Sequence, residues 1–563
     1  MLCSAISVAE SGPAAAASDW GTHLTAAETP ETAPRVIHSL VAAGHNDDLR
    51  WPDFTDYRAQ VTRVYTASRY TPIWVREGHP TPQALQLIAA LEDADHEGLR
   101  ADDYDSYRWL ERLNALQHPH SAATEARFDV ALTVCAMRYV SDLHGARLTS
   151  PAQKVHFYDN KKDLDLALYV RLWLAEAKDV NLELERITPP FPVYARLREA
   201  LVKYEALAKQ DDGEPLPVPQ GMGYPGPPYP GYARLVRLLR LVGDLSPTYS
   251  TETGQAQVYD AELLQGVRRF QSRHGLSPTG YLDSPTVEQM NVPLNERVEQ
   301  IRVALERLRT LRYDFRTPAI IVNIPEFRLY AFDKDGNARL QMRVDVGEEY
   351  DNRTPEMRAT LNSVVFHPSW YIPPRITSQE WVPYLETHRD FFSTNDYELL
   401  TPDGTRVPAV INDQTLSALR SGRLKIRQRP GDYNPMGSVK FVLPNPLGIY
   451  LHDIPSRDIN FMVPDRLASH GCVHVEKPAE LAAWVLKGQP GWNKDQIRAT
   501  MEGRGGEQAV KVANPVPVLI VYATAVARDN GEVNFFRDIY GYDASFKASL
   551  ARGYPALSSY NLK

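Results

Sequence analysis

Cysteine is scarce in this chain of 563 residues, which contains only Cys3, Cys135 and Cys472. Three cysteines cannot build the disulfide framework of a small secreted domain, and one of them stays unpaired whichever pair forms. A strong charge of one sign is also missing, because 62 Lys and Arg residues face 70 Asp and Glu residues, for a net charge of −8. This balance argues against a dominant basic surface for nucleic acid.

Long hydrophobic runs are absent as well. No stretch of 18 apolar residues occurs, so the sequence predicts no membrane-spanning helix. The longest apolar stretch, Val516–Ala527, is typical of a buried strand. The N-terminal segment, residues 1–34, contains alanines like those of a signal-peptide cleavage region, but it lacks a basic start. We interpret it as a signal remnant or a disordered segment.

The remaining composition is that of a folded protein with several domains. At about 150 residues per domain, the length predicts three to four domains. Apolar residues recur at helical spacing from 35 to 208, which predicts a helical domain in which Cys135 is a buried core thiol. Seven prolines fall between Pro215 and Pro230, so residues 209–231 are predicted to be a linker.

Residues 232–293 form a compact module of three predicted helices. Arg234–Gly243 is amphipathic, Asp260 is a good cap for a second helix, and Ser284-Pro285 begins a third.

From 316 to 545 the spacing of apolar residues changes to that of strands. A segment rich in aromatic residues and proline, about 362–438, interrupts these strands and is a candidate lid. The predicted fold is therefore a multidomain α+β protein with a mostly β C-terminal domain.

The strongest chemical signal lies around Cys472. It follows Ser469, His470 and Gly471, and His452 precedes it by twenty residues. A histidine within hydrogen-bond reach can activate a thiol nucleophile, and the Gly471 and Cys472 amides are candidates for an oxyanion hole.

Two other interpretations remain open. If the segment around Cys472 is a strand, then His470, Cys472 and His474 share one face, and with His452 they form a set of zinc-competent residue types. Their spacing is not that of a zinc finger or an HExxH site. The histidines can also be ordinary packed or solvent-facing residues beside a structural thiol.

These motifs resemble known families. The segment from Tyr259 to Asn291 resembles the three-helix peptidoglycan-binding domain of cell-wall enzymes. His452, a gap of sixteen residues and the run Ser469-His-Gly-Cys472 resemble the signature of YkuD-type L,D-transpeptidases. With the helical domain and the insertion, residues 55–545 resemble the YcbB-like subgroup of that family.

The resemblance implies a role for each matching residue. Cys472 is the nucleophile, His452 is the base, and Ser469, His470 and Gly471 shape the turn, in which a backbone carbonyl orients the imidazole. His474 stands where the family often has arginine, so a carboxylate contact there would depend on pH. Further candidates for substrate binding are the cap aromatics Trp370 and Tyr371. Tyr450 and Arg353 are two more. For each aromatic residue, core packing is the alternative.

The resemblance also implies the reaction and its setting. Acyl transfer from a tetrapeptide stem through a Cys472 thioester would release D-alanine and form 3→3 cross-links in peptidoglycan, with no metal or organic cofactor. It further implies a periplasmic monomer, acylation by carbapenems, and other wall synthases as partners. The rivals are an L,D-carboxypeptidase, an inactive peptidoglycan-binding scaffold and a zinc peptidase.

Overall fold

The computed structural model describes most of the chain. The described residues are 31–117, 119–145, 147, 164–218, 229–249, 259–311, 317–455, 461, 465–503 and 505–553. Most of the predicted N-terminal segment and residues 219–228 of the predicted linker lie outside them. Among the described residues, no helix combines the length and the apolar character needed to cross a membrane.

The N-terminal domain is helical, as predicted. Its helices are α1 (Ala33–Ala43), α2 (Arg58–Ala67), α3 (Pro82–Glu92), α4 (Trp109–Gln117), α5 (Ala122–His144), α6 (Leu166–Leu168), α7 (Val180–Ile187) and α8 (Pro192–Ala208). A short hairpin of β1 (Val75–Arg76) and β2 (His79–Pro80) precedes α3. Thr81 caps α3 by accepting a hydrogen bond from the Ala84 amide. Cys135 lies in α5 and is fully buried, which confirms the prediction of a core thiol.

The small module consists of α9 (Tyr232–Leu241), α10 (Ala261–Arg273) and α11 (Ser284–Met290). As predicted, Asp260 caps α10, since its carboxylate accepts a hydrogen bond from the Leu263 amide at 2.8 Å. Leu235, Leu263 and Val287 meet in the core of the module. The long helix α12 (Leu294–Thr310) follows and packs against α8.

The C-terminal domain begins with four strands and is then interrupted. These strands are β3 (Ala319–Asn323), β4 (Arg328–Phe332), β5 (Ala338–Gly347) and β6 (Met357–Phe366). The predicted start of the insertion, near residue 362, is a few residues too early, because Asn362 lies inside β6 and its neighbours Leu361 and Ser363 pair with β15. The insertion begins after Phe366 and ends before Val439.

The insertion has a sheet and an aromatic core of its own. Its elements are β7 (Trp370–Tyr371), α13 (Pro374–Ile376), α14 (Val382–Thr387), α15 (Phe391–Thr394), β8 (Tyr397–Leu400), β9 (Arg406–Val407), α16 (Asp413–Arg420) and β10 (Lys425–Gln428). The four strands pair in the order β7-β10-β8-β9. This segment is therefore a small subdomain rather than a loop.

The rest of the C-terminal domain completes the main sheet. Its elements are β11 (Val439–Val442), β12 (Leu451–His452), β13 (Leu467–Ser469), β14 (Val473–Val475), α17 (Pro478–Val485), α18 (Lys494–Glu502), β15 (Gln508–Val521), β16 (Ala525–Ala527), β17 (Val533–Phe535) and α19 (Tyr542–Leu550). The sheet runs β13-β5-β14-β12-β11-β6-β15-β3-β4, and β4 also pairs with β5. The sheet thus curls back on itself around an apolar core.

The hairpin of β16 and β17 joins the domains. Phe535 packs into a core shared with α8 and α12. Arg273 of the small module donates hydrogen bonds to the Asp244 carboxylate and to the Val533 carbonyl, and His274 stacks on Phe535. The small module is therefore seated directly against the C-terminal domain.

Candidate active site

The proposed nucleophile and base come from neighbouring parallel strands. In the register of β12 and β14, Leu451 pairs with Val473 and His452 pairs with His474. Leu451 and Val473 point into the apolar core. Since side chains alternate along a strand, His452, Cys472 and His474 fall on the opposite face. The structure therefore places on one face of neighbouring strands the two residues that the sequence pairs twenty positions apart.

His452 is held in one tautomer. It is 4% exposed, and its Nδ1 lies 2.6 Å from the Asp453 carbonyl oxygen. A carbonyl only accepts hydrogen bonds, so Nδ1 carries the proton and Nε2 keeps its lone pair. Burial, with the charges of His474 and Lys440, holds the pKa of His452 well below its usual range. The imidazole is thus neutral and basic at Nε2 near neutral pH. The orienting carbonyl is that of Asp453, not one in the turn around Cys472.

The Cys472 thiol is partly exposed and rests as the protonated form. Its Sγ lies 3.8 Å from the Gly448 carbonyl oxygen. Burial raises the pKa of Cys472, against the opposing effects of a Tyr450 backbone hydrogen bond and the Lys440 charge. A protonated thiol beside a neutral imidazole is an uncharged pair, in which the proton moves as the sulfur attacks.

Lys440 is a residue of the site that the sequence analysis missed. It pairs with His452 across β11 and β12, and its Nζ lies 3.6 Å above the centre of the Tyr450 ring. Burial lowers the pKa of Lys440, while the Cys472 thiolate and Glu507 raise it. Lys440 is therefore placed to stabilise negative charge on the sulfur. Tyr450 lies beneath this cation and beside Cys472, so it borders the site.

The turn before Cys472 is fixed by Ser469. The Ser469 hydroxyl donates to the Cys472 carbonyl at 2.5 Å and accepts from the Gly471 amide at 3.1 Å. Gly471 has φ +111°, a conformation that L side chains rarely adopt. The Gly471 amide, which the sequence suggests for an oxyanion hole, donates within the turn in this structure, and its part in such a hole stays a prediction. The Cys472 amide remains the candidate oxyanion donor.

A second layer supports the turn from below. The Thr354 hydroxyl donates to the Gly471 carbonyl at 3.0 Å and accepts from the Gly347 amide at 2.8 Å. The Tyr540 hydroxyl donates to the Gly347 carbonyl at 2.5 Å. The Arg353 guanidinium lies over the rings of Tyr540 and Tyr542, at 5.5 and 5.3 Å. Arg353 therefore packs on the support of the turn, in the loop four residues before β6 begins.

This support predicts that Gly347→Ala is damaging. A Cβ at Gly347 would lie 1.9 Å from the Asn352 carbonyl oxygen and 2.6 Å from the Thr354 amide, so the backbone must shift. We expect a loss of about 1–3 kcal/mol in the free energy of unfolding, typical of overpacking, and slower labelling of Cys472 by a thiol reagent. Gly506→Ala is the matched control, since nothing lies within 4 Å of its Cβ. Equal behaviour of the two variants would contradict the proposed support.

The other two histidines take separate places. His474 is mostly buried, with its Nδ1 3.3 Å from a carboxylate oxygen of Asp345 and its ring 4.8 Å from that of His452. His470 does not share this face as predicted for a strand, because it lies in the turn between β13 and β14. Its Nε2 is 3.1 Å from Glu380 in the insertion. Among the described residues, no group of three or more His, Cys, Asp or Glu side chains is arranged to hold a metal ion.

The insertion contacts the site through polar side chains. Its two predicted aromatic residues make ring contacts with other residues of the insertion. Arg375 donates to the Asn352 side chain beside the turn. Trp370 packs in the insertion core, with its ring 6.3 Å from that of Trp381. Tyr371 is 51% exposed and lies under the Arg427 guanidinium. Tyr371 is thus available to a ligand, whereas Trp370 supports the insertion itself.

Three segments of the chain match family models. Residues 59–201 match the model described as "Scaffold domain", residues 234–290 match "Putative peptidoglycan binding domain", and residues 317–492 match the YkuD model, "L,D-transpeptidase catalytic domain". The third match stops before β15, although β15 belongs to the same sheet. These matches confirm the resemblance and the multidomain α+β fold inferred from the sequence.

A named relative supports the same assignment. A Haemophilus influenzae protein named "Putative L,D-transpeptidase" is 32% identical over 260 residues, which cover 46% of this chain and 50% of the relative. The chain thus spans about half the length of that relative.

Proposed function

The chain contains a YkuD-type L,D-transpeptidase catalytic domain beside a scaffold domain and a peptidoglycan-binding domain, and we propose that it cross-links peptidoglycan stems through a thioester on Cys472. The observation that carries this proposal is the pair of neighbouring strands that sets a neutral, oriented His452 beside the protonated Cys472 thiol. Thiol, imidazole and backbone amide supply the nucleophile, the proton transfer and the charge stabilisation that acyl transfer needs.

The first half-reaction forms the thioester. The Cys472 sulfur attacks the carbonyl carbon of the third stem residue while its proton passes to His452 Nε2. The amide C–N bond then breaks, and the leaving D-alanine takes that proton as its amine. In the tetrahedral intermediate, the Cys472 amide donates to the oxyanion. Lys440 stabilises the thiolate character of the sulfur as the proton leaves.

The second half-reaction releases the product. The side-chain amine of diaminopimelate on a neighbouring stem attacks the thioester and gives its proton to His452. The C–S bond breaks, a 3→3 amide forms, and the Cys472 thiol takes the proton back. Water in place of this amine yields the hydrolysed stem, which is the carboxypeptidase outcome.

The insertion is assigned the role of a cap over the donor stem. Its contacts with the site support this role, since Glu380 pairs with His470 and Arg375 binds Asn352. Tyr371 offers an exposed aromatic surface to the substrate. A cap held against the turn that carries Cys472 would limit the access of water to the thioester.

The setting of the activity follows from its substrate. We assign the enzyme to the periplasm, since mature peptidoglycan lies outside the cytoplasm. We further propose that it acts as a monomer, with peptidoglycan and other wall synthases as its partners. Carbapenems would acylate Cys472 in place of the donor stem.

Product analysis tests this function. The full chain is incubated with a disaccharide-tetrapeptide that contains diaminopimelate, and the products are separated and weighed. We expect a dimer whose mass equals two tetrapeptide units minus one D-alanine, with an amide between two diaminopimelate residues. A monomeric tripeptide as the sole product would establish the carboxypeptidase instead. An unchanged substrate on a folded enzyme would favour the inactive scaffold.

A further inference from the structure

A cavity of about 570 Å³ lies between the small module and the catalytic sheet. Residues 275–278 of the module form one wall. Strands β4 and β5 and the β16–β17 hairpin form the other. Among the described residues, four arginines and one carboxylate, Glu326, line it. The arginines are Arg328, Arg343, Arg466 and Arg528.

Two of these four arginines have counter-ions and two do not. Arg528 pairs with Glu326, and Arg343 donates to Glu476 at 2.8 Å. Neither Arg328 nor Arg466 has a carboxylate partner within the described ranges. Burial, followed by the charges of Arg343 and Arg328, lowers the pKa of Arg466, while the charges of Asp345 and Glu476 oppose this shift. The cavity therefore has an excess of positive charge that an anionic ligand would neutralise.

The positive surface continues onto the small module. A second cavity, of about 460 Å³, shares Ser272, Pro278 and Asn534 with the first. Three arginines of α10, Arg268, Arg269 and Arg273, line this second cavity together with one carboxylate, Glu532. The two cavities adjoin at these shared residues and are here together called the arginine groove. Its charged lining residues are Glu326, Glu532, Arg268, Arg269, Arg273, Arg328, Arg343, Arg466 and Arg528.

The arginine groove and the active site share one face of the sheet. Arg328 pairs with Arg343 across β4 and β5, and Asp345, two residues along β5, pairs with His474. Residues two apart on a strand point to the same face. At about 3.3 Å per residue, Arg343 lies about 13 Å from Cys472 along these strands. This span equals about four extended peptide residues.

We propose that the arginine groove binds the free carboxylates of the acceptor stem, and so places its side-chain amine at the Cys472 thioester. This inference rests on the proposed function. Each stem carries several carboxylates, which arginine binds by paired hydrogen bonds. A peptide that runs from the peptidoglycan-binding module to the catalytic face would follow this route. The four-residue span matches the length of one stem.

The test separates acceptor binding from chemistry. The test variant carries both Arg328→Gln and Arg466→Gln. Neither arginine forms an ion pair with a carboxylate among the described residues, so we expect the double variant to keep its fold. We expect first-turnover release of D-alanine from a disaccharide-tetrapeptide to stay within about twofold of wild type. The ratio of cross-linked to hydrolysed product should fall about tenfold, the effect of losing about 1.4 kcal/mol of acceptor binding. Arg552→Ala, which removes an exposed arginine outside the groove, should leave both quantities unchanged.

A binding measurement gives a readout without turnover. Disaccharide-tripeptide, which has no D-alanine to release, is titrated calorimetrically into Cys472→Ala with and without the two arginine substitutions. A Kd that rises about tenfold only in the arginine variant supports the site, even if cross-linking activity is never observed. An unchanged Kd and an unchanged product ratio would overturn the inference. So would a preference for inorganic phosphate or for vesicles of anionic phospholipid over the tripeptide.

Discussion

Cys472→Ala is expected to abolish acyl transfer while leaving the protein folded. The thiol is the sole nucleophile of the proposed pathway, so first-turnover release of D-alanine should fall by about 10⁴-fold or more. The side chain is partly exposed, and its Sγ contact with the Gly448 carbonyl is a long one, at 3.8 Å. Its removal therefore leaves little unfilled space, and thermal unfolding should change little.

Cys135→Ala is the matched control. That thiol is fully buried in α5, and burial raises its pKa far above the usual range, so it is an inert core group. We expect normal D-alanine release and a lower Tm from the cavity. Full activity in Cys472→Ala, or loss of activity only in Cys135→Ala, would contradict the assignment of the nucleophile.

His452→Ala is expected to lower the rate of acylation by about 10²- to 10⁴-fold, the usual contribution of a positioned general base. The wild-type rate should fall with acid only below the ordinary imidazole pKa of about 6.5. The reason is that burial and the charges of His474 and Lys440 hold the pKa of His452 low, so that the base stays neutral to a lower pH. The check is kcat/KM for D-alanine release across a range of pH.

Chemical rescue distinguishes a lost base from a damaged fold. Added imidazole should restore part of the rate in His452→Ala, since the deleted ring leaves a space on the face of the sheet that carries Cys472. His388→Ala, which changes an exposed histidine of the insertion, should keep both the rate and the pH profile. A wild-type acid limb at or above pH 6.5, or no effect of His452→Ala, would refute the neutral-pair description.

The kinds of domain could be predicted from the sequence, and Cys472 and His452 could be proposed from it, because these features are local or depend on a motif. Helical spacing, the Asp260 cap and the Ser469-His-Gly-Cys472 run can each be read within a short window. Cys472 and His452 then share a face because His452 ends β12, Cys472 immediately precedes β14, and these two strands pair in register. The pairing of β12 with β14 requires only that the chain between these two strands returns to the same edge of the sheet.

The missed residues come from distant strands. Lys440 and Asp345 reach the site through the pairing of β11 with β12 and of β5 with β14. Nothing in their local sequence marks either residue, since each is one charge in an alternating strand. The arginine groove likewise depends on how the module is seated against the sheet. His470 does not share the face of Cys472 and His474 because β14 begins only at Val473, and His470 lies in the turn before it.

The most direct test of the account is the intact mass of the enzyme after brief mixing with a disaccharide-tetrapeptide and acid quenching. We predict an adduct equal to the donor minus D-alanine, carried by the peptide that contains Cys472 and released by hydroxylamine, as a thioester should be. Cys472→Ala should show no adduct. Dimer formation without any adduct on Cys472, or an adduct that persists in Cys472→Ala, would contradict the thioester pathway.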